Sequence, residues 1–441
     1  MVPSIEFMPL PPGPRLPEAI QTMRWAVRPV PFMERCLREH GEHFTVRLAA
    51  LGEVVFLAGP EAVQPVFTAA PGLVPAGEGN HILEPVVGPR SLLLLDGAAH
   101  LRERRMLLPA FHGRRVAEYA GVIAGVADRH IDGWPLGRRF APRPRMQAIT
   151  LEVIMRAVFG VEAAPALARL GRVLAGMLDT ATGHPLVTMV PALRRDLGRL
   201  SPWGRFKRAR ADFDALVLAQ IRARREGGEP AGADVLSLLI EARDEHGRPM
   251  TDAEVRDELA TLLVAGHETT ATALAWALER LMRHPEALAR LTRGVESGDD
   301  AYLDAVVKET LRLRPVLSIV IRRLAAAMEV DGYELPAGTR VAPCIYLTHR
   351  LERLYPDPAA FRPERFLAPN AAPPYAWIPF GGGTRRCLGA GFATLEMKEV
   401  LRSVVRRTRL SPAAAESEGI RRRAVTLAPA DDALAIMHER R

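Results

Sequence analysis

Residues 379–393 read PFGGGTRRCLGAGFA, and the fold turns on how they are interpreted. A single thiol, Cys387, stands among five glycines and directly after Arg385 and Arg386. From about Leu388 the residues LGAGFATLEMKEVLRSVVRRT have helical character, so the thiol falls just before a helix start. Unpaired N–H groups and the helix dipole favour negative charge there. The two arginines add to that field, and together these features stabilise a thiolate. Gly381, Gly382 and Gly383 allow a tight turn and a close approach to something bulky. A buried thiolate with N–H donors aimed at its sulfur is what an axial iron ligand requires. A lone cysteine in a glycine-rich turn is more often a small buried hydrophobe. Against that plainer reading stands the composite F-x-x-G-x-R-x-C-x-G, met by Phe380, Gly383, Arg385, Cys387 and Gly389.

Composition narrows the alternatives. A length of 441 residues allows two or three domains. With no internal repeat and no convincing linker, one large domain over 1–441 is the expectation. An apolar fraction of 48% is ample for a large core. Cys36, Cys344 and Cys387 are too scattered for a disulfide framework. No C-x-x-C suggests a zinc ribbon, and a reducing, cytoplasmic setting fits best. The net charge of +8 comes from arginines interleaved with acids along the chain. Without an aromatic-rich basic strip or a helix-turn-helix or zinc-finger spacing, nucleic acid is not the expected partner. The first 25 residues lack a long apolar run, so neither a signal peptide nor a membrane anchor is expected. Their prolines read as an extended arm.

Along the chain, HFTVRLAALGEVVFLAG (43–59) reads as two short strands about a turn, and PEAVQPVFTAA (60–70) as a helix opened by proline. Residues 71–97 form an irregular stretch rich in Gly and Pro. Helical patterns dominate from His100 to Arg314, with breaks near Pro135, Pro165, 185–202 and 227–232. The longest helix is expected over 251–284. Thr251 and Glu254 make a capping box, Pro285 marks the stop, and at about 1.5 Å per residue it spans ~50 Å. Its centre is apolar on most sides, as in a buried helix. MEV, YEL and RVAPCIY read as strand-like pieces with turns at Asp331-Gly332 and Ala337-Gly338. A long proline-rich coil, 353–380, precedes the glycine loop, and a coil of that length in a compact domain usually serves a function. The fold class is therefore mainly α with small β-sheets. The loop and its following helix occupy 379–408.

The loop resembles the haem-thiolate loop of the cytochrome P-450 family, and three further motifs match that family in order, over about His43 to Leu434. The resemblance implies one large fold with a long central helix crossing haem b, and it makes Cys387 the metal ligand. Phe380, Gly381, Arg385 and Gly389 then belong to the cofactor-binding set. Ala265-Gly266-His267-Glu268-Thr269-Thr270 resembles the oxygen-activation motif. Ala265 and Thr269, four apart, share one face. A small residue at Ala265 leaves room for a flat cofactor and O2. Thr269 can bend the helix and hold a water by competing for a carbonyl. Glu268 with Thr269 forms an acid–alcohol pair suited to passing protons inward, the expected catalytic pair. His267 lies off that face and reads as packing or polar support.

Glu309 and Arg312 read alone as a surface ion pair of little worth. The resemblance implies instead a buried structural triad with Arg365 from the coil. It also implies His100, Arg104, Arg322 and Arg385 as partners of the haem propionates, with Arg322 chosen over Arg323 by its spacing to Gly332. Arginine suits bidentate carboxylate contact. The substrate pocket is expected from Ile82, Leu83, Val86, Leu94, Leu262, Ala265, Val316, Ile319, Val320 and Leu427. Most are apolar, pointing to a hydrophobic small molecule such as a fatty acid, terpenoid, steroid or macrolide-like compound. FRPERF and FGGGTRRC look closer to fatty-acid- and terpenoid-hydroxylating members than to the camphor-hydroxylase type. Arg194, Arg195 and Arg199 could attract a carboxylate, though a solvated face is the plainer reading.

No G-x-G-x-x-G opens a strand–helix unit. Electrons from NAD(P)H are thus expected through separate chains, a ferredoxin and its reductase. Arg102, Arg105, Arg114, Arg115 and Arg386 are candidates for the docking face. The implied activity is a monooxygenase using O2. A peroxide-driven peroxygenase, which normally replaces the acid–alcohol pair, and a non-enzymatic haem sensor are the alternatives.

Overall fold

The structure is a computed structural model that describes residues 10–49, 51–160, 164–183, 196, 198, 201–227, 234–367 and 372–441. Arg194, Arg195 and Arg199 lie outside the described residues. The architecture is mostly helical with small sheets. The chain gathers into two compact units. One comprises the chain up to Gly79, Ala275–Ala390 and Leu410–Ala435; the other comprises Asn80–Leu274, Gly391–Arg409 and Ile436–Arg441. No linker is legible because the boundaries fall at Leu274, inside the longest helix, and at Ala390, the first residue of another.

The first unit is built on a four-stranded sheet. His43–Leu48 pairs antiparallel with Gly52–Leu57, which runs parallel to Arg340–Pro343, and Arg322–Arg323 closes the edge. Strand side chains alternate between faces. Accordingly, Phe44, Val46, Val54 and Phe56 pack into one core with Met33 and Tyr346. Val55 and Leu57 face another with Val66 and Val341. Phe44 stacks on Phe56 at 5.1 Å between centroids. The turn Asp331-Gly332 joins Met328–Val330 to Tyr333–Leu335, with φ of 46° and 81°, the two positive values that a two-residue hairpin turn demands.

Three local expectations change. The extended arm ends earlier: Glu18–Val27 is helical, because Pro17 is the last of the proline run. Gln21 and Trp25, four apart, are then buried. Gln21 Nε2 also donates to Leu16 O at 2.7 Å. Residues 77–87 are not irregular but three single helical turns, Gly77–Asn80, His81–Leu83 and Glu84–Val87. RVAPCIY is strand only to Pro343; Ile345–Thr348 turns helical.

The proline-rich coil is organised by one buried ion pair. Glu309 and Arg312, on the helix Ala301–Leu313, have no exposed side-chain surface. Arg312 Nε and Nη2 donate to the two Glu309 oxygens at 2.7 and 2.8 Å. The remaining guanidinium donors reach His349 O, Pro358 O and Ala360 O at 2.9 to 3.1 Å. Glu309 Oε1 also accepts from Arg362 N at 2.8 Å and faces Arg365 Nε at 3.5 Å. Burial thus replaces the surface pair that spacing alone suggested.

The second unit is helical. Pro142–Phe159 buries Ile149, Val153 and Val158, and Ala120–Asp132 buries Ile123, Val126 and Ile131. The longest helix runs Asp252–Arg283. Its start carries the expected box: Thr251 N donates to Glu254 Oε2 at 2.7 Å, and Glu254 N to Thr251 Oγ1 at 3.2 Å. Ala265 is exposed, and Leu262, Gly266 and Thr269 are half-buried.

Removing Glu309 strands the Arg312 charge, so Glu309→Leu should destabilise the protein by roughly 3–5 kcal/mol. Chemical unfolding checks this, and a shift below 1 kcal/mol would show the pair to be dispensable.

Candidate active site: a thiolate loop and a threonine-bearing helix

The loop belongs to the first unit. Gly381 and Gly383 have φ of 69° and 62°, the left-handed region that disfavours other residues. A Cβ on Gly383 would lie 1.7 Å from Phe67 O, so this glycine lets the loop press onto the helix Pro60–Thr68. Gly389 differs: a Cβ there would meet nothing within 4 Å. Backbone bonds from Arg386 N to Gly383 O (3.1 Å) and from Cys387 N to Phe380 O (2.9 Å) fix the turn. The following helix begins at Ala390. Cys387 is exposed, whereas Cys36 and Cys344 are buried. Burial pushes those two thiols up to about 12. Among the three, Cys387 alone combines access with a cationic, glycine-rich setting.

Arg322 and Arg385 line one hollow together with Val66, Phe67 and Gly382. Arg322 is buried and donates to Ile321 O at 2.8 Å. Arg323 is exposed and bonded to Glu78 Oε2 at 3.0 Å. Val316 and Val320 are half-buried. Leu427 and Ile319 pack with the core on one face of the sheet. Leu427 N donates to Val316 O at 2.8 Å, tying the two predicted substrate strips together.

The helix motif belongs to the second unit. Thr269 Oγ1 donates to Ala265 O at 2.6 Å, the competition for a carbonyl that the spacing suggested. Thr150 Oγ1 donates to His267 O at 2.9 Å. His267 is buried, and desolvation with the nearby Arg143 charge lowers it to about 4. Glu268 faces Arg143 Nη1 at 2.9 Å and accepts a bond from Gln147 Nε2. On Gly97–Leu107, His100 is buried and Arg104 half-buried, one turn apart. Ile82, Leu83, Leu94 and Leu262 are half-buried, and Val86 is buried.

Several functional partners carried no sequence signal. Arg143 and Gln147 are polar residues four apart on a helix with nothing to link them to Glu268. Glu396, wholly buried, accepts a bond from Thr270, and desolvation holds its carboxyl well above the usual range. His349 Nε2 accepts from Ile378 N at 2.8 Å, two residues before Phe380. Burial and the Arg312 charge lower His349 to about 3. Arg102 is not free for docking: three acids, Glu103, Asp244 and Glu254, hold it. Arg105 is exposed but paired with Glu245 at 2.8 Å. Arg386 is exposed.

A thiol presented by a glycine turn, on a loop whose Arg385 shares a hollow with Arg322, has the chemistry to take an iron cofactor bearing carboxylates. The cytochrome P450 profile matches residues 8–431. The chain belongs to the cytochrome P450 family. Cytochrome P450 135B1 of Mycobacterium tuberculosis is 44% identical over 429 residues, 96% of this chain and 90% of that one. Cytochrome P450 135A1 of the same organism is 39% identical, covering 93% and 90%. A solved structure of retinoic-acid-bound cyanobacterial CYP120A1 superposes with a TM-score of 0.85 at 27% identity, over 98% of this chain and all of that chain. The haem domain of cytochrome P450DA shares the fold at a TM-score of 0.84 and 24% identity, over 99% and 98%. The protein is thus a haem-thiolate P450 monooxygenase that uses O2, in a family that generally needs redox partners. Among the described residues no helix is long and apolar enough to cross a membrane.

Two outcomes follow for this P450. Gly383→Ala should load little haem, because its Cβ collides with Phe67 O; full Soret absorbance per mole of protein would contradict that. His267 and His349 stay neutral when folded, with values lowered from 6.5 to about 4 and about 3. Between 6.5 and those values the unfolded chain binds protons that the folded one does not. Their contribution is complete above 6.5 and is lost as pH falls through that window. Unfolding midpoints measured against pH should show this slope, and His267→Gln should flatten it.

Proposed function

We propose that this P450 hydroxylates a hydrophobic small molecule, with Cys387 as the iron's ligand and Glu268 and Thr269 as the proton-handling pair. The observation that carries the reading is the Cys387 loop, fixed by Cys387 N donating to Phe380 O and pressed onto the helix Pro60–Thr68. His100, Arg104, Arg322 and Arg385 would hold the haem carboxylates. When bound, haem supplies the activation of O2 for insertion of one oxygen atom into a C–H bond. The protein supplies placement, dryness and protons.

Thr269 donates its own proton to Ala265 O, so its oxygen remains free to accept a bond from a water on that face. Glu268 is held by Arg143 and Gln147, and must leave one of them to exchange a proton near Thr269. The half-buried Leu94, Leu262, Val316 and Val320 favour an apolar substrate. The retinoic acid bound by CYP120A1 supports a terpenoid or fatty-acid class. A ferredoxin with its reductase, drawing on NAD(P)H, is the proposed electron source in a cytoplasmic setting. Arg105 and Arg386 are exposed and suit an acidic partner.

The first experiment is the absorbance difference spectrum of reduced protein with and without carbon monoxide. A strongly red-shifted Soret band is expected, and Cys387→Ser should abolish it together with turnover; retained activity would sink the ligand assignment. Thr269→Ala should keep haem but divert electrons to peroxide, with product per electron falling by about tenfold or more. Unchanged coupling would remove Thr269 from the proton path. Charge reversal at Arg105 and Arg386 should slow reduction by a ferredoxin and flatten its dependence on salt. Unchanged rates would move the docking face elsewhere.

A further inference from the structure

Four contacts that the reading above does not use join residues 88–92 to the long helix. All lie within the second unit. Gly88 has φ of 96°, and a Cβ there would stand 2.2 Å from Asp257 Oδ1. Arg90 N donates to Asp257 Oδ2 at 2.9 Å, and Leu92 N donates to Glu258 Oε1 at 2.7 Å. Thr261 Oγ1 lies 2.7 Å from both Asp257 O and Ser91 Oγ. A hydroxyl has one proton, which goes to the carbonyl, so Ser91 Oγ donates to Thr261 and accepts from Leu93 N at 3.2 Å.

The spacing gives these contacts a purpose. Asp257, Thr261, Ala265 and Thr269 follow one another at intervals of four along one helix stripe. The held segment carries Leu94 and runs directly into Gly97–Leu107, the helix of His100 and Arg104. Ser91 and Leu92 are buried, while Leu93, Leu94 and Leu95 are half-buried beyond them.

We propose that Asp257, Glu258 and Thr261 are positioning residues that register the segment Gly88–Leu95, and the apolar wall it presents at Leu94, against Ala265 on the long helix. This rests on the P450 reading for the meaning of that wall, though not for the contacts. Glu258 is wholly buried. Its desolvation, reinforced by the charges of Glu103, Asp257 and Glu254, holds its carboxyl well above the usual range. Its Oε1 accepts from Leu92 N, a role the side-chain carbonyl of glutamine can take over.

The test uses haem-loaded protein and two readouts. Amide exchange at Arg90–Leu93 should accelerate by about tenfold or more in Glu258→Ala and stay at the parent rate in Glu258→Gln. Clotrimazole, a bulky azole, should bind the haem of Glu258→Ala about tenfold more weakly, while imidazole, too small to reach the wall, binds unchanged. Should Glu258→Ala fail to load haem, Thr261→Val, which keeps both carboxyls, is expected to give the same pattern. Parent-like exchange and an unchanged clotrimazole-to-imidazole ratio in these variants would overturn the proposal. A wild-type protein without the thiolate–carbon monoxide band would instead overturn the P450 site reading, and amide exchange would still decide the register.

Discussion

Glu309 and Arg312 meet where no water reaches either side chain, and the path to Cys387 depends on that meeting. Taking two charges out of water costs several kcal/mol for each. The cost is offset here because every strong donor and acceptor of the pair is used. Arg312 satisfies both carboxylate oxygens and three coil carbonyls, and Glu309 accepts from the coil backbone at Arg362. A hydrophobic pair of the same volume would pack as well but would leave those carbonyls and that N–H unmet. The charges are therefore a means of holding a segment that has no helix or strand of its own to do so. His349 extends the hold: its carbonyl accepts from Arg312, and its ring accepts from Ile378 N. Two residues later the loop that carries the thiol begins.

The long helix meets the same problem from the opposite side. A regular element satisfies its own backbone, so its polar side chains are free for other duties. Asp257 and Glu258 bind backbone of the 88–92 segment, and Thr269 bends back onto Ala265 O. Thr270 reaches Glu396 from a later helix. Small residues at Ala265 and Gly266 keep the helix slim where neighbours must come close. Gly266 already has Ile154 at its back, since a Cβ there would stand 3.2 Å from Ile154 Cδ1.

What could be read in the sequence was whatever repeats or punctuates at short range. The capping box at Thr251, the Asp331-Gly332 turn and the alternation of Phe44 to Phe56 are local, and each appears where spacing put it. The extended arm was overextended because prolines up to Pro17 colour the reading of residues that contain none. The apolar centre of the long helix reads as a buried one, and Leu259, Ala260, Leu263 and Ala271 are buried. Partnerships across the chain leave no local signal: Arg143 with Glu268 spans 125 positions, and Glu258 with Leu92 spans 166. Arg102 shows the reverse error. Its charge looked available, yet Asp244, more than a hundred residues away in sequence, had already taken it.

Glu258 and Glu268 stand ten residues apart on one helix and illustrate how surroundings divide the labour of identical side chains. Glu258 has no solvent and three acidic neighbours, which hold its carboxyl well above the usual range while one of its oxygens accepts the backbone bond from Leu92 N. Glu268 keeps part of its side chain in the open and faces the Arg143 guanidinium at 2.9 Å. A buried group bonded to backbone is suited to holding a chain in register. A group that is paired and partly accessible can change partners. The same side chain thus stands in two different settings, and the difference lies in burial and in the sign of the nearest charge.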